Sequence, residues 1–359
     1  MALMLAACAA PDSRRGEPVG RMLSADEGRA QIARLIPGVA DRAGWATDIY
    51  AALVALELPT TVENACAAIA VIGQESGFQA DPAVPGLPAI ARREIERQRE
   101  RAGIPKLVLD AALALTSSNG KSYAERLDTV RTEGQLSEIY EDFIGRVPLG
   151  TTFLAGRNPV HTAGPMQVSV AFATEYAADR PYPYPVNGPL RHELFTRRGG
   201  VYFGIAHLLD YRAPYDRMIY RFADFNAGRY ASRNAAFQNA VSTASGITLD
   251  LDGDLVVPGG DKAKPGSTEA AVRSLATRLD LGEGEIRRAL EQEGRADFEQ
   301  TRVYLRVFEL AEQVGRRPLP RAVLPQIRLH SPKITRPLTT EWFARRVDER
   351  HQRCLARAV

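Results

Sequence analysis

Thr60-Thr61-Val62-Glu63-Asn64-Ala65-Cys66-Ala67-Ala68-Ile69-Ala70-Val71-Ile72-Gly73-Gln74-Glu75-Ser76-Gly77-Phe78 reads as a capped, buried helix that ends on a carboxylate. Thr60 and Glu63 fit a capping box, and Val62 to Ser76 is rich in alanine and isoleucine, so a central helix is expected there. Gly77 and then Asp81-Pro82 break the pattern and leave Glu75 in the last turn. A helix C-terminus disfavours negative charge, which makes the position poor for stability and suited to an acid. Cys66 lies nine residues earlier and so points to the opposite side of the helix, into the core and away from chemistry.

Helical signals continue on both sides. Ser24 and Glu27 form a capping-box pattern that opens a helix ending before Pro37, and a second helix is expected over Val39–Leu56. A charged stretch at about 84–148 reads as a helical insertion, with helices over Ala89–Arg101, Lys106–Leu115 and Leu136–Ile144. After a loop-like 150–165, helices are expected over Ser169–Ala178, Leu190–Tyr211, Arg217–Phe225 and Ala231–Ser245. Leu249–Val257, with Asp252-Gly253 at its middle, reads as a small β-hairpin, the turn chemistry outweighing the calcium-loop alternation of Asp250, Asp252 and Asp254. A glycine- and proline-bearing linker at 258–267 precedes helices over Glu269–Leu279, Gly284–Glu293, Phe298–Val314 and Thr340–Ala356. The expected fold class is therefore mainly α. Its expected division is a tether over 1–23, a domain over 24–257 carrying the insertion, and a helical C-terminal section over 258–359.

The 359 residues are 45% hydrophobic, enough for a buried core, and 46 basic against 43 acidic residues leave a net charge of only +3. That slight excess gives no reason to expect a nucleic-acid partner. No zinc-finger or phosphate-loop pattern occurs, His161 and His207 lack a second ligand at metal spacing, and no cofactor or metal is expected. Apolar runs fall short of the ~18 residues of a membrane span. The start is different in kind: Met1–Ala10 is almost wholly apolar, contains Leu5-Ala6-Ala7-Cys8, and gives way to the polar Pro11-Asp12-Ser13-Arg14-Arg15. This resembles a lipobox, which implies a lipid on Cys8, a polar tether, and an anchored protein facing the periplasm from the cell-envelope membrane. Cys66 and Cys354 then stand in a compartment that permits disulfides, as a pair or as two buried thiols.

Three short motifs follow in order: Glu75-Ser76-Gly77-Phe78, Gly164-Pro165-Met166-Gln167-Val168 and Phe225-Asn226-Ala227-Gly228. With Tyr202-Phe203-Gly204-Ile205-Ala206-His207-Leu208-Leu209 before the third, they resemble the soluble lytic transglycosylases and goose-type lysozymes over roughly 60–85 and 160–245. The chain also resembles bacterial lipoproteins to which no activity is assigned.

The resemblance implies a lysozyme-like fold whose substrate is peptidoglycan, with Glu75 as single acid/base. Glu75 would protonate the glycosidic oxygen between N-acetylmuramic acid and N-acetylglucosamine, then accept the proton of the muramyl 6-hydroxyl as it attacks, leaving a 1,6-anhydromuramyl end. It further implies that Ser76 braces the site, that Met166 and Gln167 line the sugar cleft, and that Asn226 binds substrate. Each has a structural alternative: a local cap for Ser76, core for Met166, a helix end for Asn226. Phe78 reads as a core anchor. Pro165 stands where the family more often has leucine and removes a backbone donor. Phe225 replaces the family's usual tyrosine, for which Tyr202, Tyr220 or Tyr230 could substitute. The 89 residues between Glu75 and Gly164, where the family has a few tens, leave room for an insertion that could roof the cleft, restrict the substrate or bind a partner. A hydrolytic muramidase would need a second carboxylate, such as Asp81, Glu94 or Asp224. A non-catalytic envelope lipoprotein that binds glycan or a partner is the alternative outside enzymology.

Overall fold

The computed structural model describes residues 21–146, 158–257, 264–329 and 337–358. Cys8 and its apolar flank lie outside them, as do most of the expected tether and linker. The fold is mainly α. In chain order come α1 (Ala25–Leu35), α2 (Arg42–Ala55), α3 (Val62–Glu75), α4 (Leu87–Arg101), α5 (Lys106–Ala114), α6 (Tyr123–Thr129) and α7 (Glu133–Arg146). A two-residue hairpin, β1 (Thr162–Ala163) and β2 (Val168–Ser169), leads into α8 (Val170–Asp179), α9 (Leu190–Leu194), α10 (Arg197–Leu209), α11 (Met218–Ala227) and α12 (Ala231–Ser245). The remainder holds α13 (Ser267–Ser274), α14 (Ala276–Leu279), α15 (Glu283–Leu290), a 3₁₀ turn (Ala296–Gln300), α16 (Arg302–Gly315), paired β3 (Arg328–Leu329) and β4 (Leu338–Thr339), and α17 (Thr340–Ala358).

α3 is the hub. Its eight consecutive residues Ala65–Ile72 are all buried, and its small side chains let α1, α2, α10 and α17 approach it. The cap is Thr61, whose hydroxyl accepts from the Asn64 N–H at 3.3 Å. Thr60, expected in that role, donates instead to the Leu23 carbonyl. α17 runs back along α3 and is fastened to it by a Cys66–Cys354 disulfide with 5.6 Å between Cα atoms.

Three cores result. The first joins α1–α3 and α8–α11 to Phe343, Ala344, Val347 and Cys354 of α17. The second lies among α12–α16, around Phe237, Phe298 and Phe308. A third, small one holds the insertion together through Leu87, Tyr123, Leu127 and Ile139. α17, from the section after 258, packs with the first core, and α12, from before it, with the second.

The expected hairpin at Leu249–Val257 is not formed. This segment is irregular, and α12 side chains satisfy its backbone: Gln238 accepts from Gly253 N–H and donates to the Asp254 carbonyl, while Asn234 donates to the Gly253 carbonyl. Gly253, at φ +88°, lies flat against Ala231, where an added Cβ would come within 3.0 Å. The expected single helix over Leu190–Tyr211 is two, parted where the Thr196 hydroxyl caps α10 by accepting from Gly199 N–H at 3.0 Å.

Candidate active site

The exit of α3 is tight and locked. Gly77 and Phe78 both take left-handed backbone, at φ +58° and +65°, a conformation a bulky residue adopts only when its surroundings impose it. Phe78 is imposed upon by Trp45, which meets it edge to face at 5.3 Å. Trp45 in turn lies under the Arg197 guanidinium, which α10 sends across to Asp41 and Asp48 of the α2 entry. Glu75 is half-buried just before this turn. Ser76 is buried, and its hydroxyl donates to the Ile72 carbonyl at 3.1 Å, so it caps its own helix.

The second motif is the turn of the β1–β2 hairpin. Gln167 N–H closes it on the Gly164 carbonyl at 3.0 Å, so the donor missing at Pro165 is not needed. The Gln167 amide spans the same turn, accepting from the Thr162 hydroxyl and donating to the Gly164 carbonyl, both at 3.2 Å, while remaining partly exposed. Met166 has no exposed surface and supports the turn from below, so it lines no cleft. Glycines make this fit possible. A Cβ on Gly200 would sit 2.3 Å from Pro165 Cδ, one on Gly204 2.4 Å from Met166 Sδ, and one on Gly164 2.0 Å from the Leu194 carbonyl oxygen.

The third motif ends α11. Phe225 faces His207 with centroids 5.1 Å apart, and Phe172 covers the same imidazole at 4.6 Å. Burial and the nearby Arg229 push His207 down to about 4, and its Nδ1 has no partner. Asn226 is exposed, and its Oδ1 accepts from the Thr340 hydroxyl at 2.9 Å. The three tyrosines weighed as stand-ins are each engaged: Tyr202 among Tyr182 and Phe203, Tyr220 against Tyr215, and Tyr230 under Arg233.

α10 brings the motifs into order. Arg197 marks Phe78 by way of Trp45, Gly200 and Gly204 seat the second motif, and His207 meets the third. These positions are ten residue steps apart, about 15 Å of helix. α17 gives the same measure from the other side, since Arg350 donates to Gln74 and Thr340 to Asn226. Glu75 and Asn226 therefore belong to opposite ends of the row and do not adjoin.

The insertion abuts the α3 end. Asp81 accepts from Gly134 N–H at 3.2 Å beside Phe195, and Glu141 of α7 pairs with His192 at 2.5 Å. Asp81 is thus a tie between body and insertion. Glu94 pairs with Arg97 and Gln98 on its own helix. Asp224 is wholly buried and accepts from Tyr211, Tyr215 and the N–H groups of Tyr230 and Ser232, with burial holding its carboxyl above the usual range.

Sequence reading missed the Asp224 and His207 clusters, whose only signal was a charge and an imidazole inside apolar helices. The chain is 51% identical over 354 residues to the uncharacterized protein YaiW of Escherichia coli (strain K12), covering 98% of this chain and 95% of that one. No solved structure matches. The model of DUF1615, described as a protein of unknown function, matches residues 38–357, from before α2 nearly to the end of α17, and the chain belongs to that family.

Proposed function

We propose that this protein is a lipid-anchored envelope enzyme of lysozyme-like fold that cleaves peptidoglycan strands as a lytic transglycosylase. The observation that carries the reading is the alignment of the three motifs along about 15 Å of α10, with a half-buried carboxyl at one end and exposed or half-exposed amides of Asn226 and Gln167 farther along. Glu75 gives its proton to the oxygen of the MurNAc–GlcNAc bond, and the C1–O bond breaks as positive charge develops on the muramyl ring. The muramyl 6-hydroxyl then closes on C1 and returns a proton to Glu75, so neither water nor metal is consumed. Amide groups suit the acetamido substituents of such a strand, which assigns substrate contacts to Gln167 and Asn226.

One carboxyl group suffices for this route, whereas a hydrolase needs a second. The engagement of Asp81, Glu94 and Asp224 favours transglycosylation over hydrolysis. The Cys66–Cys354 bridge supports an oxidising compartment, in keeping with a lipid on Cys8 and a site facing the periplasm. Purified protein incubated with peptidoglycan should release 1,6-anhydromuropeptides detected by mass spectrometry, and Glu75→Gln should abolish release while still binding the sacculus. Reducing ends would point to hydrolysis. Phenylalanine at 225 and the Asn226–Thr340 bond favour a second reading, a glycan-binding scaffold without catalysis, in which parent and Glu75→Gln proteins bind alike and neither releases product.

A further inference from the structure

α7 presents two unlike faces. Leu136, Ile139 and Phe143 turn toward Leu87, Tyr123 and Leu127 and complete the insertion's own core, which shares no residue with the first core. Gly134, Ser137 and Glu141 form the opposite stripe of the helix, and this stripe meets the body. Gly134 N–H donates to Asp81, and the Phe195 ring approaches the same glycine. Ser137 Oγ accepts from Asn158 Nδ2 at 3.0 Å and donates to Glu141 at 3.3 Å. Glu141 reaches His192 at 2.5 Å and Arg191 at 3.6 Å, and Arg191 also donates to the Val160 carbonyl at 2.6 Å.

The contacts along this stripe are hydrogen bonds and ion pairs, the kind of seam that holds two separately cored bodies in register without fusing them. The neck of the insertion is pinched shut by the Val84 N–H on the Arg131 carbonyl at 2.9 Å and by the Ala83–Thr132 bridge. That closure makes 83–146 one piece and leaves the irregular 79–82 as the pivot at its entry. The pivot starts immediately after Phe78, which Trp45 holds in place. We propose that the insertion is a flap at the exit of α3, swinging about 79–82 and latched shut by Glu141 on His192 and Arg191. Opening exchanges the bonds of Glu141, Ser137 and Asn158 for bonds to water at small net cost, whereas parting an apolar seam would expose it. That the flap governs access of a glycan strand to Glu75 rests on the function proposed above; the swing itself does not.

The test uses the full chain with Cys8→Ser, the other two cysteines being bridged. Spin labels on Leu107→Cys of the insertion and Val54→Cys of α2, at positions 79% and 52% exposed, report the separation of flap and body by double electron–electron resonance. The parent should give one dominant distance. Glu141→Ala should add a second population and raise the open-to-shut ratio about fivefold or more. His192→Ala should shift it the same way, and the double variant should match Glu141→Ala. Amide hydrogen exchange at Tyr123 and Leu127 should stay slow in each variant, because the flap's core moves intact. A distance distribution that neither substitution changes, or exchange that quickens throughout that core, would overturn the proposal. In unlabelled protein, joining Glu141→Cys to His192→Cys with a short bismaleimide should stop the anhydromuropeptide release that the unjoined pair performs. Release that persists would overturn the flap's control of access. A parent that releases nothing refutes the enzymatic reading and leaves the distances to decide on the flap.

Discussion

His207 shows how much one side chain can commit to. Its ring lies between Phe172 and Phe225 with Arg229 close by, and it stays neutral down to about pH 4. The unfolded chain takes up that proton near pH 6.5, so this group's contribution to stability is full above pH 6.5 and falls as pH drops toward 4. Between pH 7 and 4.5 the loss should be about 2–3 kcal/mol in denaturant titrations, and His207→Leu should flatten that part of the profile. Other side chains were legible to different degrees. Cys66 in the core, opposite Glu75, follows from periodicity and is found, and Phe78, read as an anchor, is partly buried against the first core and Trp45. Burial of Ser76 and Met166 was not legible, because a hydroxyl at a helix end and a thioether in a turn look alike whether they face solvent or core. Gln167→Ala removes both bonds across the turn, and should weaken peptidoglycan binding with a stability cost of about 1 kcal/mol in thermal melts.

α10 is the element on which the site depends, and glycine is what allows it to lie so close to the β1–β2 turn. Gly200→Ala would drive a methyl into Pro165 at 2.3 Å, and should lower stability by about 1–3 kcal/mol while loosening the turn that carries Gln167. Thermal melts together with anhydromuropeptide release check both effects. Helices were the most legible elements: α12 is found over the residues that its pattern predicts, and α3 differs by a single residue. Local chemistry also shows why others went astray. α6 is opened by Ser122 and Glu125 in a capping box that reads clearly once sought, and Thr196 cuts α9 from α10 within a continuous apolar pattern. The strand-like alternation at 249–257 arises because Leu249 and Leu255 point into the second core from an irregular segment, its hydrogen bonds being met by Gln238 and Asn234 of the helix just before it, which no pattern within the segment itself discloses.

At the scale of the molecule, α17 and its disulfide bind the end of the chain to its hub. Removing the bridge with Cys354→Ser should cost about 2–5 kcal/mol in denaturant unfolding, and limited proteolysis should release α17 before it cuts α3. The pairing could not be read from three cysteines alone, since nothing local in the sequence brings positions 66 and 354 together. That α17 packs with the first core and α12 with the second was not legible for the same reason: a return of the chain over nearly its whole length leaves no compositional mark. This return also bears on the order in which the protein is made. Cys66 is synthesised 288 residues before Cys354, an interval of about 15–60 s at ordinary translation speeds. Throughout it the α3 face that α17 will cover has nothing to pack on, so the half of the molecule that begins first cannot finish first. Its closure is deferred to the arrival of a distant segment, and any factor that shields α3 during that wait acts at the step where the nascent chain is most exposed to misassembly.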